Sequence, residues 1–213
     1  MRQPPDYAAF ARLGVATAHE AAGRTGVVNF ALTQIVPGSR VAGPARTALC
    51  ARGDNTMVHA AIAHAQPGDV LVLTSVEPGP VALVGELLAT QAQAQGVAGI
   101  LVDGAVRDVD ELAEIGLPIW TRFVRAQGAT KGEVGRLDVM VVVGGVEIQP
   151  GDLVVMDCDG AFALPADVAE TVLPLALERA ERESVMRQRY AAGELSYDLN
   201  GLREIVEGGT GIS

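Results

Sequence analysis

The run Gly99-Ile-Leu-Val102 is apolar throughout, stops at Asp103-Gly104, and gives way to a helical pattern near Asp108. A short, unbroken apolar run of this kind reads as a strand buried on both faces. Arg107 and Asp108 then stand where a strand hands over to a helix. In open α/β sheets, ligands bind at that end of the strands. An adjacent cation and carboxylate can do two jobs there. The carboxylate can hold a hard metal ion, and the guanidinium can face an anionic substrate. The segment alone leaves a second reading open, an N-capping aspartate beside a surface arginine.

The flanking sequence extends the pattern. Residues 5–23 read as one or two short helices, and 31–36 and 45–51 as β-like. Residues 54–65 read as a helix capped by Asp54 or Asn55, and Pro67-Gly-Asp69 turns into the apolar strand 70–73. An Ala- and Leu-rich helix is expected over 82–95, stopped by Gly96, and a strand over 119–123. Residues 138–164 hold several short strands, and Pro150-Gly-Asp152 echoes the turn at Pro67. A long helix over 165–192 follows, which Pro174 should kink or restart, then a short segment over 194–207. The chain of 213 residues suits one domain with a tail. The expectation is α/β, with a mixed sheet in a core over 1–164 and a helical C-terminal arm over 165–213.

Several chemistries fall away. The net charge of −10 leaves no general basic surface for nucleic acid. Cys50 and Cys158 are far apart, so a reduced, cytoplasmic setting is expected rather than a disulfide framework. No apolar run has the length of a membrane span or the shape of a signal segment, so a soluble protein away from membranes is expected. No nucleotide-binding glycine motif occurs. His19-Glu20 lacks a second histidine, and His59 and His64 are five apart, which argues against a histidine-rich zinc or iron site. Asp157-Cys-Asp-Gly160 opens like a calcium loop, but Ala161 stands where the third oxygen ligand belongs, so a turn is expected. Lys131, in the polar stretch Gly128-Ala-Thr-Lys-Gly132, is the only lysine and thus the only candidate for Schiff-base chemistry.

Oxygen-ligand chemistry remains. Gly85-Glu86-Leu87-Leu88 lies in the helix that precedes the Arg107-Asp108 strand, and residues 87–106 leave room for one helix, one turn and one strand. The helix start and the strand end then share one sheet edge. Free N–H groups of a first helical turn there can receive a carboxylate. Glu86 and Asp108 both facing that cleft would suit Mg²⁺ or Mn²⁺ better than Zn²⁺.

Gly85-Glu-Leu-Leu-Ala89, Val102-Asp-Gly-Ala-Val-Arg-Asp108 and Ala192-Gly-Glu-Leu195 resemble the 4-hydroxy-4-methyl-2-oxoglutarate / 4-carboxy-4-hydroxy-2-oxoadipate aldolases. These belong to the superfamily of the regulator of ribonuclease E activity A. Gly38–Thr47, Gly53-Asp-Asn55 and Pro150-Gly-Asp152 also fit. The family signature is Asp-x20-Arg-Asp, and here Glu86 replaces its first aspartate.

The resemblance implies a β/β/α swivelling-type fold and a class II, divalent-metal-dependent pyruvate aldolase of aromatic-compound catabolism. It implies homotrimers or homohexamers with sites between subunits. By carry-over, Asp108 binds Mg²⁺ or Mn²⁺, Glu86 holds metal-bound water, and Arg107 contacts the substrate keto oxygen. Gly85, with the N–H groups of Leu87 and Leu88, receives the pyruvyl carboxylate, and Asn55 lies at the substrate. Glu194 reaches a neighbouring subunit's metal. Oxaloacetate decarboxylation passes through the same enolate and is the expected side activity. The superfamily also offers other readings: a non-catalytic regulator that binds a ribonuclease, or a dedicated decarboxylase. Selectivity is expected from residues 74–84 and from the surroundings of Asn55 and His59.

Overall fold

A computed structural model describes residues 4–208. The elements begin with α1 (Tyr7–Ala21), β1 (Thr33–Gln34), β2 (Val41–Cys50) and α2 (Thr56–His64). β3 (Val70–Ser75), β4 (Ala82–Val84), α3 (Glu86–Ala94), β5 (Gly99–Val106), α4 (Val109–Ile115) and β6 (Ile119–Val124) follow. Then come β7 (Arg136–Leu137), β8 (Val141–Val143), β9 (Val146–Ile148), β10 (Leu153–Asp157) and β11 (Gly160–Leu164). The helices α5 (Ala166–Ala191), α6 (Ser196–Leu199) and α7 (Leu202–Gly208) close the described chain. Among the described residues no helix is long and apolar enough to cross a membrane.

The main sheet runs β1-β6-β5-β3-β2-β10-β11, with β4 added on β5 and β7 on β2. Its centre is parallel: β2 with β3, β3 with β5, and β5 with β6. β10 and β11 extend it antiparallel beyond the first half of β2. This is the mixed α/β architecture of β/β/α swivelling type, followed by a helical arm. The central strands β3 and β5 are buried along their whole length, because both their faces are covered. Alternate side chains go to different cores. Leu71, Leu73, Ile100 and Val102 pack with α2, α3 and α4. Val70, Val72 and Leu101 pack with Trp120 and Met156 on the other face. A third cluster joins α1 to β10, β11 and the first turns of α5.

The helix expected over 82–95 begins only at Glu86. Ala82 and Val84 pair in parallel with Ala105 and Val106 of β5, and Gly85 is extended. A buried edge beside β5 overrides the helix propensity of Ala and Leu. Pro174 neither starts nor interrupts α5, which is continuous through it. Pro174 and Glu170 are both exposed, so the carbonyl that Pro174 leaves without a donor can turn to solvent. α1 is broken at Gly14, whose φ is 81°, and Asp157 accepts the N–H of Val15 at 2.9 Å to restart it. Asp157 and Gly160 pair across the β10–β11 hairpin, so the expected turn is present.

The two Pro-Gly-Asp turns are built alike. Asp69 accepts the N–H of Gln66 at 2.9 Å, and Asp152 that of Gln149 at 2.8 Å. Each leads into a strand. The chain divides into two compact units after Ala176, within α5. The second unit contains the rest of α5 with α6 and α7.

Candidate active site

β4 and β5 run parallel and end side by side. Gly85 follows the first and Arg107-Asp108 the second. The Arg107 N–H continues the pairing to Val84 O at 3.1 Å. α3 therefore starts against the exit of β5, and a shared cleft opens there. Its volume is about 500 Å³.

Asp108 occupies the N-cap position of α4, but its carboxylate does not cap that helix. It accepts the N–H of Glu86, at the start of α3, at 3.1 Å. Its backbone is left-handed, with φ 60° and ψ 47°. An aspartate held there costs about 1–3 kcal/mol and is retained where the surroundings demand it. The conformation turns the carboxylate from its own helix to the neighbouring one. A helix N-terminus favours that charge. Arg107 lies beside it, with Nε 3.5 Å from the same carboxylate oxygen.

Two glycines make room for this pair. A Cβ on Gly85 would lie 2.5 Å from the Asp108 carboxylate and 3.1 Å from the Arg107 side chain. One on Gly128 would lie 2.8 Å from the Arg107 guanidinium.

Gly85, Glu86, Leu87, Leu88 and Asn55, all expected at the substrate or metal, line the cleft with Arg107 and Asp108. The N–H of Leu88 already bonds Gly85 O at 3.2 Å, whereas that of Leu87 meets no acceptor among the described residues. Asn55 donates its amide to Leu83 O at 3.0 Å, which fixes its orientation and leaves Oδ1 buried without a donor. Glu194 is not among the lining residues. Within the second unit, Arg189 holds it in a two-bond ion pair at 2.6 and 3.0 Å. That pairing lowers the Glu194 pKa.

His59, Glu111, Gln91 and Lys131 also line the cleft. From sequence, His59 carries only an expected link to substrate selectivity, and Lys131 only a candidacy for Schiff-base chemistry. The signal available was that Lys131 has no second lysine to share its work. His59 follows Asn55 by one helical turn on α2, and its Nε2 is buried with no partner. Burial first, then the Lys131 ammonium, pushes its pKa below the usual imidazole range, against the pull of Asp54. Asp54 is itself buried. Burial alone would raise its pKa, but hydrogen bonds from Thr56, Glu133 and Thr130 hold it low. Among the described residues, the one cluster of three His, Cys or acidic groups with ligand atoms close together is Asp157-Cys158-Asp159. It is occupied in turn and helix-restart bonds.

An α/β protein with an arginine–aspartate pair at the strand exit and a carboxylate-rich cleft is the class defined here. The chain belongs to the RraA-like family, described as Aldolase/RraA, whose family model matches residues 15–162. A protein of Halalkalibacterium halodurans is 37% identical over 150 residues, covering 70% of this chain and 71% of that one. Another, of Burkholderia multivorans, is 38% identical over 156 residues, covering 72% and 94%. Both carry the name "Putative 4-hydroxy-4-methyl-2-oxoglutarate aldolase". Streptomyces coelicolor RraAS2, described as an unusual member of the RNase ES inhibitor RraA protein family, matches with a TM-score of 0.75 at 32% identity. That match covers 88% of this chain and 99% of that one.

Gly85→Ala tests the geometry without reference to activity. Gly85 has ordinary φ, so the added methyl should leave the fold intact and displace the Asp108 carboxylate. Amide exchange at Glu86 should accelerate by about tenfold or more, because its acceptor is lost. Unchanged exchange would show that the Asp108 bond does not protect that amide. His59 gives a pH prediction. Its folded pKa is depressed, so the unfolded chain binds the extra proton as pH falls below about 6.5. Stability should drop from there through the folded pKa. The fall in Tm between pH 7 and 5 should be shallower in His59→Gln, and equal slopes would remove His59 from the acid response.

Proposed function

We propose that the chain is a divalent-metal-dependent pyruvate aldolase. It would cleave 4-hydroxy-4-methyl-2-oxoglutarate or 4-carboxy-4-hydroxy-2-oxoadipate to pyruvate and a second 2-oxo acid. Oxaloacetate decarboxylation would be its side activity. The observation that carries the reading is the strained Asp108, turned to the start of α3 with Arg107 beside it.

The donor set fits a hard cation. Asp108 and Glu86 offer carboxylate oxygens in one cleft, and the Glu86 carboxylate makes no hydrogen bond or ion pair among the described residues. Neither cysteine lines the cleft. Mg²⁺ keeps several waters and needs only one or two carboxylates, which suits Asp108 directly and Glu86 through water. Glu194 of a neighbouring copy in a homotrimer or homohexamer would complete the set. Such an ion, when bound, supplies Lewis-acid stabilisation of charge on the keto oxygen.

The chain's own groups do the rest. The Leu87 N–H, at the positive end of α3, receives the 2-oxo-acid carboxylate. Leu88 contributes only if its bond to Gly85 O gives way. Arg107 donates to the keto oxygen, where negative charge builds as the C3–C4 bond breaks and the enolate forms. A donor aimed at developing charge lowers the barrier more than it strengthens ground-state binding.

EDTA should abolish pyruvate release, and Mg²⁺ or Mn²⁺ should restore it. Arg107→Ala should lower kcat by roughly 10²–10³ with an intact fold. Near-normal cleavage by Arg107→Ala would return that arginine to a surface residue beside a cap, and full activity without metal would sink the metal-dependent assignment. No pyruvate release from any of these substrates, with metal present, would leave the second reading, a ribonuclease-binding regulator, which the likeness to RraAS2 supports. The shared site has its own test. Asp108→Ala and Glu194→Ala, each inactive alone, should partly recover activity when co-expressed in mixed oligomers. No recovery in verified mixed oligomers would mean that Glu194 acts within its own chain or not at all.

A further inference from the structure

The segment that carries Lys131 is fixed along its length. Ala129 N–H bonds Ala82 O at 3.1 Å, and Thr130 N–H bonds Gly53 O at 2.8 Å. Thr130 O accepts from Asn55 N–H at 3.0 Å. Gly132 N–H donates to the Thr56 hydroxyl at 2.9 Å, and Glu133 N–H to the buried Asp54 at 3.2 Å. Both neighbours of Lys131 are therefore tied to the start of α2. At its other end the segment meets the Arg107 guanidinium through Gly128. Two residues, Ala129 and Thr130, separate Gly128 from Lys131, and the three chain steps span at most about 11 Å. The two cations lining the cleft are thus set at the two ends of one short, anchored stretch. Lys131 is exposed, which suits an ion-pairing ammonium and not a desolvated amine nucleophile.

The same wall carries Asn55 Oδ1, a buried acceptor with no donor. Leaving such a group unmet is unfavourable, because its desolvation is not offset by a hydrogen bond. A ligand hydroxyl is a donor that would meet it.

We propose that Asn55 and Lys131 form a subsite for the leaving half of a 2-oxo diacid. Lys131 takes the second carboxylate and Asn55 Oδ1 accepts from the hydroxyl. The proposal rests on the reading of the cleft as a 2-oxo-acid site, and what it adds is the residue that would recognise the second carboxylate of the diacids named there. A 4-hydroxy-2-oxo acid with one carboxylate leaves Lys131 unpaired and is disfavoured.

The test is binding, which needs no turnover. Titration calorimetry with Mg²⁺ compares 2-oxoglutarate with 2-oxopentanoate, which has the same chain length and no second carboxylate. The wild-type protein should prefer 2-oxoglutarate by about tenfold or more. Lys131→Met should bring the ratio close to one, and Lys131→Arg should keep most of the preference. Equal affinities in the wild-type protein, a ratio untouched by Lys131→Met, or no binding of either acid overturns the subsite. Pyruvate release from both 4-hydroxy-4-methyl-2-oxoglutarate and 4-carboxy-4-hydroxy-2-oxoadipate is measured alongside. Its absence with the binding preference intact would refute the aldolase reading and leave the diacid subsite standing.

Discussion

One hydrogen bond organises the site: the Asp108 carboxylate on the N–H of Glu86. It joins the exit of β5 to the entry of α3, two points that the sheet has already brought side by side. Without it the left-handed backbone at Asp108 would be uncompensated strain. With it, the carboxylate is fixed against the positive end of a helix while Arg107 is held next to it. Gly85 is what the arrangement requires of the sequence, because any side chain there would occupy the carboxylate's place.

A second buried carboxylate does comparable work on the adjoining wall. Asp54 accepts from Thr56, Thr130 and Glu133, and so binds the start of α2 to the 128–133 segment. His59 and Asn55 stand on that helix, and Lys131 on that segment. The charge on Asp54 opposes the effect of Lys131 on His59. The wall is thus a set of mutually dependent groups built round one desolvated anion. Its hydrogen bonds repay that burial by holding the Asp54 pKa low.

The parallel strands were legible because burial on both faces writes itself as unbroken apolar runs, as at 70–73 and 99–102. The two Pro-Gly-Asp turns were legible because the aspartate bonds its own loop three residues back, a local interaction. β4 was not, since Ala-Leu-Val of 82–84 is compatible with helix or strand and only pairing with β5 decides it. Yet β4 is what puts Glu86 beside Asp108: the juxtaposition expected from the interval 87–106 arises through a strand that the pattern concealed. The Arg107-Asp108 pair stood out as a motif, but the bond to Glu86 and the φ of Asp108 are tertiary facts. Lys131 was hidden for the same reason. A polar loop has no periodicity to show which way it faces, and its place depends on hydrogen bonds to residues 53–56.

On the aldolase reading, Glu194 would be a carboxylate prepared for a neighbouring copy's site without being part of a closed one. Arg189 holds it through two hydrogen bonds at the end of α5, and both side chains are about 43% exposed. Exposed ion pairs of this kind contribute little to stability because water competes for both charges. Arg189 therefore fixes where the Glu194 carboxylate stands without holding it tightly. A divalent ion on a neighbouring copy would offer a stronger partner than a solvated guanidinium. On the aldolase reading, the pair is an ordered resting arrangement that assembly exchanges for the metal. The same carboxylate would then couple catalytic competence to oligomer formation, since a lone chain keeps Glu194 on Arg189.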